Sequence, residues 1–249
     1  MSGLASPTLA ERLAERVRPT SRVVGYQRWS ELLFLHWELP AEQVQATLPA
    51  GLAVDTWEGR AFVGIVPFFM DRIRPAGLPP VPWLSWFHEL NVRTYVVDTR
   101  GRPGVWFYSL DCDQPVAVWL ARRWFRLPYQ HARFRSTRSN GEVSYEARRK
   151  GLSESDRFRW KRPSSGRPAE AGTLEFFLVE RYRLFAADGR GGLFTGQVHH
   201  SPYEISVPEL TASSSVVGLA AGFEFSDPPP LIHSVAGVDV TIHPLESVA

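Results

Sequence analysis

Lysine is nearly absent from this 249-residue chain: Lys150 and Lys161 stand alone among 28 Lys and Arg. Both sit in arginine-rich polar stretches where burying an amine would be expensive, so chemistry through a desolvated lysine is disfavoured. A single cysteine, Cys112, excludes an intrachain disulfide and fits a reducing compartment. Lying in an apolar strand, it reads as a packed thiol and not as a nucleophile. The longest apolar run, Ala61 to Met70, is broken by Gly64 and Pro67 and falls short of the roughly 20 residues a bilayer requires, so no membrane span is expected. Residues 1–20 alternate apolar and charged positions without the apolar core and cleavage site of a secretory signal, so the expected location is cytoplasmic. No serine stands in a Gly-x-Ser-x-Gly elbow, and Ser213 to Ser215 reads as a helix cap, which disfavours serine hydrolase chemistry. Gly189-Arg-Gly-Gly192 is too short for a dinucleotide fingerprint and reads as a hairpin turn. No cofactor is expected.

What is present is a moderately apolar chain, 44% hydrophobic and 22% charged, in the range of soluble globular proteins. Strand-like runs recur at short spacing: 29–39, 52–57, 60–73, 86–97, 105–113, 127–138, 142–149, 183–186, 193–200 and 231–243. The runs 52–57 and 60–73 read as a hairpin about Glu58-Gly59, and Asn140-Gly141 is the strongest hairpin turn in the chain. Short helices are predicted over 7–17, 41–48, 115–125, 174–182 and 216–221. Many strands with only short helices between them predict a mainly β (α+β) fold, one domain over residues 1–249 with 1–20 as an N-terminal helix or arm.

Residues 86 to 97 carry the most information. Strand alternation puts Phe87, Glu89, Asn91, Arg93 and Tyr95 on one face and His88, Leu90, Val92, Thr94 and Val96 on the other. The second face is mostly apolar and should seal a core. The Glu-Asn-Arg face must then look at water or into a polar cavity, and the aromatic residues at both its ends favour the cavity.

Four phrases in this order, Phe87-His-Glu-Leu-Asn-Val-Arg-Thr-Tyr-Val96, Leu127-Pro-Tyr129, Glu180-Arg-Tyr182 and His199-His-Ser-Pro-Tyr203, resemble the YqjF-like family. That group of unknown function lies within the acetoacetate-decarboxylase-like superfamily. The resemblance runs from about Trp29 onward and implies a large antiparallel sheet wound into a cone-like or double barrel, with short peripheral helices and an internal cavity. Acetoacetate decarboxylases form a Schiff base on a lysine. Their proline-lysine-lysine phrase aligns with Pro128-Tyr129-Gln130, and a phenol cannot form an imine. One decarboxylase carboxylate is matched by Glu89, while the other falls near Gly64.

An inherited cavity without its Schiff-base group is therefore expected, lined by Glu89, Asn91, Arg93, Tyr129, Arg181 and His200 and holding a small organic acid or a keto or acyl compound. Glu89 and Tyr129 are the candidate catalytic pair; Asn91, Arg93, Arg181 and His200 are the candidate substrate contacts. Arg93 would take a carboxylate or carbonyl, and a desolvated Glu89 would act as acid or base. Whether the chain is an enzyme, and whether it is a homo-oligomer, the sequence leaves open.

Metal binding is not expected, because His199 and His200 are adjacent on a strand and project to opposite faces, and His36, His88 and His131 lack ligand-like spacing. Asp111 and Asp113 share a face; that pair reads either as a two-carboxylate site or as a strand end followed by a helix cap at Asp113, and the cap is favoured. The alternative function is nucleic-acid or polyanion binding by residues 122–167, where fourteen Lys and Arg face four acids. There Trp124, Phe125, Tyr129 and Phe134 interleave with the arginines in the mixture that stacking plus phosphate contact would use.

Overall fold

The computed structural model describes residues 6–188, 190–226 and 228–248. Positions 1–5 of the expected arm and Gly189 of the expected turn lie outside the described residues. In chain order the strands are β1 (Gly25–Leu39), β2 (Leu52–Val54), β3 (Ala61–Pro75), β4 (Phe87–Asp98), β5 (Pro103–Cys112), β6 (Tyr129–Ser139), β7 (Glu142–Arg149) and β8 (Asp156–Lys161). They continue as β9 (Arg167–Pro168), β10 (Arg183–Ala187), β11 (Leu193–His199), β12 (Glu204–Ser206), β13 (Glu209–Ala212) and β14 (Leu231–Ser247). The helices are α1 (Leu9–Ala14), α2 (Ala41–Gln45), α3 (Pro115–Leu120) running into a π turn over Ala121–Phe125, α4 (Leu174–Val179) and α5 (Val216–Ala220). None of them is long and apolar enough to cross a membrane.

Seven strands close a barrel in the order β5, β10, β11, β14, β1, β3, β4 and back to β5. A smaller sheet, β6, β7, β8 and β13, leaves the barrel at β5. The sheet is antiparallel except at two joints, where β5 runs parallel to β10 (Leu184 beside Val105) and to β6 (Leu110 beside Tyr129). A parallel neighbour needs a long crossover. Between β5 and β6 it is supplied by α3 and its π turn.

The β4–β5 hairpin and the Asn140-Gly141 hairpin form as the sequence predicts, the latter with both turn residues at positive φ (52° and 76°). The expected hairpin of 52–57 with 60–73 does not. Pairing of β3 with β4 stops at Val63 beside Thr94, and β2 takes over the vacated edge with Leu52 beside Asp98. Only a bridge between Trp57 and Arg60 remains of the hairpin.

Two expected caps also move. Gln114, not Asp113, caps α3 by accepting from the Val116 amide at 3.1 Å. The first amides of α5, Val216 and Val217, donate to the carboxylate of Asp156 in β8, at 2.8 and 3.0 Å, and Ser215 makes no side-chain cap.

The two faces of β4 enter two different cores. Leu90 and Val92 pack with Val143, Tyr145, Phe158 and Trp160 of the small sheet and with Val217 of α5. Phe87 and Tyr95 pack with Phe34, Phe62, Phe68, Leu110, Val235 and Val238 of the barrel strands and with Phe176 and Phe177 of α4. The small sheet lies outside the barrel, so the face bearing Glu89, Asn91 and Arg93 is the inner one.

Candidate functional site

All three polar residues of the β4 row are buried: Glu89, Asn91 and Arg93 are 2%, 4% and 8% exposed. Their separation along an extended strand spreads them over two clusters, one at each end of the row.

At the first end, Tyr129 donates from its phenol to Glu89 Oε2 at 2.6 Å. The contact exists because β6 joins β5 in parallel with Tyr129 beside Leu110, while Leu110 faces Asn91 across the β4–β5 ladder. Burial pushes the Glu89 carboxyl up to about 7; the hydrogen bonds from Tyr129 and Asn91 oppose that rise, and the nearby Asp111 adds to it. Burial and the Glu89 charge push the Tyr129 phenol well above its ordinary range, so it remains a donor. Asn91 leaves its Oδ1 without a partner. Burial likewise raises the Cys112 thiol, whose side chain is packed against Gln114.

At the other end, Arg93 donates to the Leu178 carbonyl of α4 at 3.3 Å and lies over the Phe34 ring, 5.2 Å from its centroid. Its Nε has no partner, and among the described residues no carboxylate pairs with it. Tyr95 donates to the same Leu178 carbonyl at 2.6 Å. With that proton committed, His36 Nε2, 2.6 Å from the Tyr95 oxygen, is the donor of its pair, which leaves His36 Nδ1 as an unmatched acceptor. Burial and the Arg93 charge hold His36 well below the usual imidazole range, so it is neutral.

His36, Gly64 and Arg93 are consecutive partners across β1, β3 and β4. A Cβ on Gly64 would meet His36 Cδ2 at 2.9 Å. The imidazole thus occupies the space where the resemblance places a second carboxylate. His36, Tyr95 and Gly64 were missed as site residues from sequence. The signal was the alternation of β1, in which Phe34 and His36 oppose Leu33, Leu35 and Trp37, a pattern as informative as that of β4.

The remaining candidates are placed differently. Arg181 stacks on Tyr95 and Phe177, but its NH1 donates to Asp55 at 2.8 Å and its Nε to the Phe177 carbonyl, leaving only NH2 unpartnered. Arg12 of α1 grips the same Asp55 with both terminal nitrogens at 2.7 Å, so one buried carboxylate ties the arm and α4's exit together. His200 is buried, stacked on Tyr182 and facing a tilted Tyr203, each 4.4 Å away, with Nε2 unpartnered. Asp111, weighed in the sequence as half of a carboxylate pair but favoured as part of a strand end, is held by Arg149 of β7 at 2.7 Å. Lys150 and Lys161 are exposed on the small sheet.

Among the described residues, two of the clefts that open on the surface lie away from the Glu89 row. One of about 520 Å3 lies between Arg122, Arg123, Arg126, Leu127, Ala187, Asp188 and Arg190. The other, about 310 Å3, lies along the β6–β7 turn beside Asn140 and Lys161. The basic segment 122–167 exposes Arg133, Arg135, Arg148, Arg157 and Arg159 on the small sheet. Of its aromatics, Tyr129 is buried and Phe134 stacks on His88 at 5.2 Å, whereas Trp124 is exposed beside Arg122 and Arg123.

Residues 26–239 match the family model DUF2071, described as an uncharacterized conserved protein. The uncharacterized protein YqjF of Bacillus subtilis (strain 168) is 36% identical over 220 residues, 88% of this chain and 90% of that one. Among solved structures, the enduracididine biosynthesis enzyme MppR complexed with pyruvate superposes with a TM-score of 0.65 at 14% identity, covering 92% of each chain. Acetoacetate decarboxylase from Legionella pneumophila gives 0.64 at 12% identity, covering 100% of this chain and 98% of that one.

Proposed function

The chain belongs to the DUF2071 (YqjF) family and has the acetoacetate-decarboxylase-like barrel, and from that premise we propose that the barrel interior binds a small carboxylate bearing a keto or acyl group. The observation that carries this reading is Arg93, a guanidinium sealed inside the barrel with no carboxylate among the described residues to neutralise it. A buried unpaired cation costs several kcal/mol, and an anionic guest offsets that cost through charge-assisted hydrogen bonds of roughly 1.5–3 kcal/mol each. The unmatched Asn91 Oδ1 and His36 Nδ1 are acceptors and suit a hydroxyl or enol proton of the guest, not its carboxylate. The pyruvate carried by MppR, a protein of the same fold, is a ligand of this class.

Arg93 takes the carboxylate, and the keto or acyl oxygen accepts from the second hydrogen of the Asn91 side-chain NH2, the first being donated to Glu89. Arg181 lies behind Tyr95 as a second positive charge, and His200 with its flanking tyrosines bounds the site. Glu89, half protonated near neutrality and held by Tyr129, is the group suited to deliver or remove a proton at the carbonyl's neighbour. No Schiff base forms on this reading, since the resemblance sets a phenol, Tyr129, against the decarboxylases' lysine.

Isothermal titration with pyruvate tests the reading. Binding that weakens at least tenfold in Arg93→Met, with the melting temperature held or raised, supports it. Equal affinity in the two proteins, or no heat from either, refutes it.

A further inference from the structure

Outside the barrel, on the opposite face of β4 from the Glu89 row, three side chains from three segments line up. Asp113 Oδ2 accepts from His88 Nδ1 at 2.6 Å, and His88 Nε2 lies 2.8 Å from Ser136 Oγ. Asp113 Oδ1 also accepts from the backbone amide of His88 at 2.9 Å, so carboxylate and imidazole are fixed relative to each other at two points. With Nδ1 donating to Asp113, Nε2 of the neutral ring is the acceptor for the Ser136 hydroxyl proton. Phe134 stacks on the imidazole at 5.2 Å with planes 8° apart, and Phe69 and Tyr145 border it at 5.1 and 5.6 Å. The group is rigid yet wetted: the side chains of His88 and Asp113 are 21% and 29% exposed.

We propose that Ser136, His88 and Asp113 form a nucleophilic acyl-transfer site that hydrolyses small carboxylic esters. The order and connectivity are those of a serine nucleophile, its general base and the carboxylate that orients the base, a constellation recognised by geometry and not by local motif. The Ser136 oxygen attacks the ester carbonyl while its proton passes to His88 Nε2. Collapse of the tetrahedral adduct breaks the bond to the alcohol, which leaves with that proton. Water then attacks the acyl-Ser136 ester, His88 again taking and returning one proton, and the carboxylic acid is released with Ser136 restored. Ester and water become acid and alcohol, with no other reactant.

Arg138 lies two residues beyond Ser136 on the same face of β6, over the Phe69 ring at 4.2 Å, and among the described residues forms no salt bridge. It is the positive charge available to a developing oxyanion. Two exposed rings mark the approach: Trp86 precedes His88 by two residues, and Trp83 is tied through its carbonyl to Gln114, the neighbour of Asp113. An apolar acyl or alcohol group suits that rim. Asp113 touches no substrate and is a positioning residue.

A biotinylated fluorophosphonate, which loses fluoride to an activated serine, should leave one adduct on the Ser136 peptide of the wild-type protein. p-Nitrophenyl acetate should turn over above the buffer rate. Ser136→Ala and His88→Gln should each abolish labelling and cut turnover at least tenfold. Asp113→Asn should lower kcat tenfold or more with KM within twofold, and Ser139→Ala, on the exposed end of β6, should change nothing. Absence of an adduct on Ser136 of the wild-type protein overturns the proposal without recourse to any variant. So does wild-type turnover in a folded Ser136→Ala.

Discussion

Tyr129 and Glu89, forty residues apart, share a 2.6 Å hydrogen bond inside the barrel, across a parallel joint between β5 and β6. The bond holds the carboxyl that burial has raised to about 7 from its ordinary 4.5. A folded value above the unfolded one means the folded state holds the proton more tightly. That contribution to stability is complete below about pH 4.5 and is lost as pH rises through 7. The loss is on the order of 3 kcal/mol, taking 1.36 kcal/mol per unit. Glu89→Gln should therefore gain on the wild type as pH rises from 5 to 8 in urea unfolding. A constant difference between the two proteins across that range would contradict the assignment.

Gly64 lies between His36 and Arg93 on the inner wall, and a methyl group there would press on the imidazole at 2.9 Å. Gly64→Ala should cost about 1–3 kcal/mol through overpacking. It should also weaken pyruvate binding at least tenfold, since the imidazole it displaces neighbours Arg93. Calorimetry on the folded variant reads both effects.

Asp55 is buried and gripped by Arg12 and Arg181. Asp55→Asn leaves two guanidinium groups uncompensated and should destabilise the protein by about 3–5 kcal/mol. Arg12→Gln should cost less, because Arg181 keeps its partner. Either change should free α1, so trypsin should cut after Arg12 or Arg16 faster than in the wild type; unchanged digestion rates would show that the clamp does not hold the arm.

Both lysines lie exposed on the small sheet, far in the topology from the inner face of β4. Sodium borohydride added with pyruvate should leave the intact mass unchanged. A reduced pyruvyl adduct on Lys150 or Lys161 would restore the imine chemistry that Tyr129 argues against.

The inner face of β4 was legible in the sequence because its two faces differ so sharply: Leu90, Val92 and Val96 demand a core, and Glu89 to Arg93 then have only the interior or the solvent to face. Its burial between two cores follows from the aromatic ends of the row. The Asn140-Gly141 turn was legible because only such residues tolerate positive φ in both turn positions. What sequence did not reveal depends on partners far along the chain. The strand edge that β2 occupies is set by where β3 stops pairing. The cap of α5 comes from Asp156, sixty residues before it, and Arg181 is claimed by Asp55, 126 residues away. The same holds for Ser136, which no local motif singles out and which gains its neighbour His88 only through the packing of the small sheet on β4.

The position of β14 governs how this protein can be born. That strand sits between β1 and β11, with Gly25 beside Ile242, so the first strand made is paired by the last. On the ribosome, β1 waits with one edge bare until β14 has emerged, whereas β6, β7 and β8 can zip locally as soon as they appear. The nascent chain therefore carries a finished outer sheet beside an open, sticky barrel wall, and its most dangerous interval for aggregation lies between the making of β11 and the arrival of β14.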